Sequence, residues 1–281
     1  LNGISPAVDF REAALRGQAP DKGLYFPQSI PALDPALLSD IEKKSLQDIA
    51  YRVISPYVGD CIAPTRLREI VEETLNFPLP LVQVKEDIFS LELFHGPTLA
   101  FKDVGARFMS RCLSEFVSTG AVKNDRVVVL VATSGDTGGA VANGFLGVKG
   151  IDVVILFPKG KVSPVQELQL TAPGDNIYAL EVEGTFDDCQ ALVKEAFADA
   201  QITDKIFLTS ANSINVARWL PQQFYYFEAF RQWEYKGHPP VICVPSGNFG
   251  NICAGMLAAA SGLPVSHFIA ACNVNDMVAD Y

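Results

Sequence analysis

Apolar positions in the first part of the chain recur at helical spacing. Ile41, Leu46, Ile49, Ala50 and Val53 form one set, and Leu67, Ile70, Val71 and Leu75 another, so residues up to about Leu81 are expected to form a mainly helical lead-in. Gly23-Leu24-Tyr25-Phe26-Pro27 and Phe77-Pro78-Leu79-Pro80 punctuate it as structural breaks. A short apolar run, Ile88 to Phe94, reads as a strand that His95-Gly96-Pro97 ends. A helix is expected from near Asp103, with Val104, Phe108, Leu113 and Phe116 on one face. From Arg126 the period changes. Val127 to Ala132, Val153 to Phe157, Ile177 to Val182, Ile206 to Thr209, Val241 to Val244 and Val265 to Ala270 read as strands. Helical segments lie between them, near Gly139 to Val148, Pro164 to Leu170, Phe186 to Ala200, Ile214 to Trp233 and Asn251 to Ala260, and Pro221 should kink or break the fourth. This alternation predicts an α/β fold with mostly parallel sheet and flanking helices.

In such sheets ligands gather at the carboxyl ends of strands, where the next helix begins. Two loops have that position. Thr133-Ser134-Gly135-Asp136-Thr137-Gly138-Gly139 follows Val127 to Ala132, and Ser246-Gly247-Asn248-Phe249-Gly250-Asn251 follows Val241 to Pro245. Small residues admit a ligand close to the backbone, and hydroxyls with N–H groups at a helix start suit a carboxylate or phosphate. Each loop is equally readable as the tight turn that any α/β unit needs. Neither is a nucleotide fingerprint, since G-x-G-x-x-G is absent and Gly160-Lys161 is followed by Val162.

Lys102 sits at a third strand-to-helix junction. Its neighbours Leu99, Ala100 and Phe101 would desolvate it, which disfavours the ammonium and frees the amine as a base or Schiff-base nucleophile. A solvated lysine in a first helical turn fits the same stretch. His95, His238 and His267 lack triad or zinc spacing, and no Gly-x-Ser-x-Gly elbow occurs, so no metal site is expected.

The 281 residues suffice for one large or two intimately packed α/β units with a cleft. A net charge of −10 excludes wrapping of nucleic acid, so any anion must be captured locally. The apolar runs are too short to span a bilayer, and no secretory signal pattern opens the sequence. Cys61, Cys112, Cys189, Cys243, Cys253 and Cys272 are widely spaced in mostly apolar surroundings. They are expected to be buried free thiols of a reducing compartment, hence a cytoplasmic location. The chain begins on Leu1 rather than Met, from which further N-terminal residues are expected.

The run Glu92-Leu93-Phe94-His95-Gly96-Pro97-Thr98-Leu99-Ala100-Phe101-Lys102-Asp103, the loop Ala132 to Gly138 and the loop Pro245 to Gly250 closely resemble, in that order, the threonine synthases. Pro158 to Pro164, Asn212 to Asn215, Asn273-Val274-Asn275-Asp276 and the Gly23 to Pro27 region resemble them too, so the similarity runs along essentially the whole chain. It implies a pyridoxal 5'-phosphate enzyme of fold type II, with two intimately packed domains and a C-terminal part beyond Tyr281. That part would supply the hydroxyl partner of the pyridine nitrogen. The division implied is a helical N-terminal region over residues 1–88, a larger cofactor-binding domain over 89–122 and 213–281, and a smaller α/β domain over 123–212.

By the same resemblance, Lys102 would carry the cofactor as a Schiff base. Ser246, Gly247, Asn248, Phe249, Gly250 and Asn251 would hold its phosphate, and Thr133, Ser134, Gly135, Asp136 and Thr137 the substrate carboxylate. Lys161 and Ser163 would meet the substrate's own phosphate. The implied reaction converts O-phospho-L-homoserine and water into L-threonine and phosphate, with Lys102 as base. The alternatives are a phospho-lyase that releases 2-oxobutyrate and a non-catalytic paralogue that keeps the anion loops. Nothing in the residues sets the oligomeric state.

Overall fold

The computed structural model describes residues 3–122 and 127–274, so Arg126 and the Asn275-Asp276 pair noted above lie outside the described residues. The lead-in is helical: α1 (Phe10–Arg16), α2 (Pro35–Ser39), α3 (Leu46–Val58) and α4 (Pro64–Thr74). Next come β1 (Leu81–Lys85), β2 (Ile88–Leu91), α5 (Asp103–Ser118), β3 (Val127–Ala132), α6 (Asp136–Phe145), β4 (Ile151–Pro158), α7 (Pro164–Thr171) and β5 (Ile177–Val182). The remainder is α8 (Phe186–Ala198), α9 (Ala200–Thr203), β6 (Phe207–Ser210), α10 (Val216–Trp219), α11 (Gln223–Gln232), β7 (Val241–Pro245), α12 (Gly250–Ala260) and β8 (His267–Ala271).

Four strands form one parallel sheet in the order β5-β4-β3-β6. β3 and β4 are central and nearly every residue in them is buried, which is why they read as unbroken apolar runs. β4 lies directly beside β3, with Val127 opposite Ile151 and Ala132 opposite Leu156. Their carboxyl ends therefore deliver the loops at Ser134 and Lys161 to one edge. β7 and β8 form a second parallel pair, with α12 as the crossover between them.

α5 is the axis of the main core. Val104, Phe108, Leu113 and Phe116 are buried on it. The Phe10 ring of α1 meets Phe108 and Phe116 edge-on at 6.5 and 6.4 Å between centroids, and Phe224 of α11 meets Phe108 at 6.3 Å. Such pairs add about 0.5–1.5 kcal/mol each beyond area burial.

Two expectations change. The Ile88 to Phe94 run is strand only over Ile88–Leu91, and it belongs to an antiparallel hairpin with β1 rather than to the parallel sheet. Ile88 and Val84 point outward, so the two-residue alternation that marks a half-buried strand is missing there. The break expected at Pro221 is present: the Ile214 to Trp233 segment is two helices separated by a tighter turn, Leu220–Gln222, that contains Pro221. Among the cysteines, Cys112 and Cys189 are buried free thiols, but Cys243 is exposed because it faces outward from β7.

Candidate active site

Lys102 immediately precedes α5, and its Nζ donates to the Thr137 hydroxyl at 2.6 Å. Thr137 lies in the first turn of α6, which starts at Asp136, three residues earlier than the apolar pattern indicates. Two of the strand-to-helix junctions picked out by composition thus meet through a hydrogen bond that spans 35 residues. Burial, reinforced by the Arg218 charge and opposed by Asp136, pushes the Lys102 amine down to about 8. Leu99 is not the source of that burial: it is 67% exposed and holds φ at +59°. The Phe101 ring, at 5.6 Å from Nζ, supplies part of the apolar wall.

The chain on either side of Lys102 is clamped. Asp103 is buried and accepts from the Thr98 hydroxyl at 2.5 Å and the Thr98 N–H at 3.0 Å. Burial raises its pKa, and the Thr98 hydrogen bonds oppose that rise. The Tyr225 hydroxyl donates to the Phe101 carbonyl. Arg218 is buried to 1%, and its guanidinium donates to the Ala211 carbonyl. Nε has no partner and no carboxylate pairs with it among the described residues. An unsatisfied buried donor costs about 1–3 kcal/mol, so a charge is retained here against the interest of stability.

Gly135, at φ +148°, opens the Ser134 to Thr137 turn. The Thr133 hydroxyl is buried behind this turn, accepting from the Gly135 and Gly138 N–H groups at 3.0 and 2.8 Å. It holds the loop rather than facing outward; Ser134, by contrast, is exposed.

At the other loop, Phe249 takes a left-handed conformation at φ +60°, and α12 starts at Gly250 with no side-chain cap. Nothing lies within 4 Å of where a Gly247 Cβ would stand, so the space beside that backbone is open. Asn248 donates to Ser213 Oγ at 2.7 Å, Ser246 to the Val244 carbonyl at 2.9 Å, and Asn251 accepts from Tyr226 Oη. Helices α1, α2, α3 and α7 to α10 all begin with a side-chain cap, whereas α5, α6 and α12 do not. α4 and α11 also lack one, but α4 starts on Pro64, which has no N–H to satisfy, and α11 runs straight on from the Leu220–Gln222 turn, to whose carbonyls the Gln223 N–H donates. Uncapped first-turn N–H groups beside open space suit an anion, and a desolvated amine suits a carbonyl, so these residues fit a phosphorylated aldehyde. No hydrogen bond joins the Gly247 loop to Lys102 among the described residues. The link is α10, whose Arg218 carbonyl packs on Gly105 and whose Trp219 Cβ lies 3.6 Å from a Cβ built on Gly250.

Lys161 is exposed, and its side chain forms no hydrogen bond or ion pair among the described residues, while nearby Lys159 pairs with Glu183 at 3.0 Å. Ser163 caps α7 in a reciprocal box with Gln166. Gln166, Gln169, Asp103, Arg218 and Tyr225 were not picked out from sequence. Only Gln166 carried a local signal, the Ser-x-x-Gln spacing of a capping box.

Comparison with known proteins agrees along the chain. Residues 69–280 match the family described as pyridoxal-phosphate dependent enzyme, and residues 2–75 match the threonine synthase N terminus. Threonine synthase of Serratia marcescens is 45% identical over 272 residues, covering 96% of this chain and 62% of that protein. The crystal structure of threonine synthase from Escherichia coli superposes with a TM-score of 0.88 at 44% identity, over 97% of this chain and 63% of that one. A pyridoxal-phosphate-bound threonine synthase from Brucella melitensis gives 0.91 at 40% identity, over 99% and 61%. The chain thus spans less than two thirds of the length of these relatives.

Proposed function

Because the chain belongs to the pyridoxal-phosphate dependent enzyme family, we propose that it is the cofactor-binding and catalytic portion of a threonine synthase, converting O-phospho-L-homoserine and water into L-threonine and phosphate. The observation that carries this reading is the desolvated Lys102 amine held 2.6 Å from Thr137, where two uncapped helices begin. When bound, pyridoxal phosphate supplies an electron sink for the charge left at the substrate's Cα.

Lys102 accepts the Cα proton and later returns one; an amine pushed down to about 8 has a far larger neutral fraction near physiological pH than an ordinary lysine, though most of it is still protonated, and it is basic enough for the task. The N–H groups at the start of α12, with the Ser246 to Asn251 loop, hold the cofactor phosphate. Ser134, Gly135, Asp136 and Thr137 present the α6 N-terminus to the substrate carboxylate. Lys161, whose side chain has no hydrogen bond or ion pair among the described residues, and Ser163 face the phosphate, which leaves Cγ once a proton has been removed from Cβ; a proton then adds at Cγ and water at Cβ. In this reading residues 123–212 form the smaller domain, since they contain the whole four-stranded sheet, and 89–122 with 213–281 form the larger one. The thiols and the lack, among the described residues, of a helix long and apolar enough to cross a membrane fit a cytoplasmic location.

The test is to incubate the full-length protein with O-phosphohomoserine and to map the pyridoxyl label after borohydride reduction. Threonine as product and a label on Lys102 are expected. Release of 2-oxobutyrate would make the protein a phospho-lyase, and a label on another lysine would displace Lys102.

A further inference from the structure

We propose that Gln166 is a positioning residue that ties the loop at Lys161 to the amine of Lys102, so that an anion bound at that loop is felt at the reactive nitrogen. The proposal rests on the reading of Lys161 and Ser163 as the site of the substrate's phosphate.

A continuous path supports it. The Ser163 N–H donates to Gln166 Oε1 at 3.1 Å, and Gln166 Nε2 donates to Asp136 Oδ1 at 2.7 Å. Asp136 is bonded through the backbone to Thr137, whose hydroxyl accepts from Lys102 Nζ at 2.6 Å. The path runs from the first turn of α7 to the first turn of α6 and ends on the amine.

The chemistry of residue 166 favours a tie over a simple cap. A glutamate at this third helical position would complete the capping box equally well and would suit the helix N-terminus better. Glutamine is the side chain that offers an acceptor to Ser163 and a donor to a carboxylate at once. A glutamate here would set two carboxylates against each other. Gly135 makes room for the amide, since a Cβ there would stand 2.5 Å from Gln166 Nε2. One turn later, Gln169 Nε2 donates to the Thr98 carbonyl at 3.3 Å, and Thr98 is the residue that Asp103 clamps beside Lys102. α7 therefore holds the chain on both sides of the amine, and a shift of its first turn moves both.

The experiment uses the full-length, cofactor-loaded protein and inorganic phosphate. Phosphate binding is measured by calorimetry, and the state of Lys102 by the pH midpoint of the visible band of the lysine-bound cofactor. In the wild type, phosphate is expected to bind and to shift that midpoint, and Lys161→Ala should weaken binding at least about tenfold. Gln166→Glu keeps the acceptor for Ser163 but loses the donor to Asp136; Gln166→Met loses both. At phosphate concentrations that saturate each variant, the shift should be lost in both. A shift of wild-type size in Gln166→Glu with phosphate bound would overturn the tie while leaving the Lys161 site standing. No binding to the wild type, or equal binding to Lys161→Ala, would overturn the reading of the Lys161 loop and the tie with it.

Discussion

At Lys102 the fold opposes protonation, and that has a measurable consequence for stability. In the cofactor-free protein the folded amine sits near 8, against an ordinary value of 10.5. Between those two values the unfolded chain binds more protons than the folded one, so this residue's contribution to stability rises with pH. Below about 8 the penalty is fully present; above 10.5 it is gone. Lys102→Met should therefore raise the urea midpoint of the cofactor-free protein near neutral pH, with an advantage that shrinks as pH approaches 10.5. An advantage that stays constant with pH would mean that the amine is not desolvated. The same residue shows how far local sequence carries. Its place at a strand-to-helix junction was legible, but the neighbour expected to bury it, Leu99, is exposed. The neighbour Phe101 supplies part of the apolar wall, while the Thr137 contact and the Arg218 charge come from elsewhere in the chain, and no nearest-neighbour pattern encodes either.

Among the elements, α10 packs against both α5 and α12. It is one turn long, with Arg218 against α5 at Gly105 and Trp219 against α12 at Gly250. Gly105→Ala would drive a methyl into the Arg218 carbonyl, an overpacking that costs about 1–3 kcal/mol. A lower Tm and a weaker cofactor affinity are expected together, with Ser118→Ala, on the exposed end of α5, changing neither. A lower Tm at unchanged cofactor affinity would separate α10 from the cofactor site. The central strands were legible because burial on both faces leaves an unbroken apolar run, and the start of α12 because the loop before it is rich in small residues. The β1–β2 hairpin was only half legible: Val82, Val84 and Ile88 turn apolar side chains outward, so the pattern there gives no face. Arg218 and Tyr225 were not legible at all. Each reads as one position in a helical segment, and Tyr225 gains its role from a hydrogen bond spanning 124 residues.

For the molecule as a whole, a net charge of −10 means that the doubly anionic substrate proposed above gains nothing from the overall field and must be held by local donors. In the proposed reading Lys161, exposed and without a side-chain hydrogen bond or ion pair among the described residues, meets the distal phosphate, and a charge-assisted contact of this kind contributes about 1.5–3 kcal/mol. Lys161→Ala should reduce kcat/KM for O-phosphohomoserine by roughly one to two orders of magnitude, with the affinity for an amino acid lacking the phosphate retained. Lys159→Ala, which removes a side chain already paired with Glu183, should have little effect. Equal losses for both ligands in Lys161→Ala would leave it an ordinary loop lysine.

The uncapped start of α12 also bears on how long the folded chain lasts. At α1, α3, α8 and α10 an aspartate, serine, threonine or asparagine closes the first turn, and at α12, under the proposed reading, that closing group arrives from solution. Amide hydrogens at Gly250 and the residues after it should then exchange quickly when the cofactor is absent and slowly when it is present. Opening of this helix becomes tied to cofactor departure, so the residence time of a small molecule sets the fraying rate of a piece of backbone.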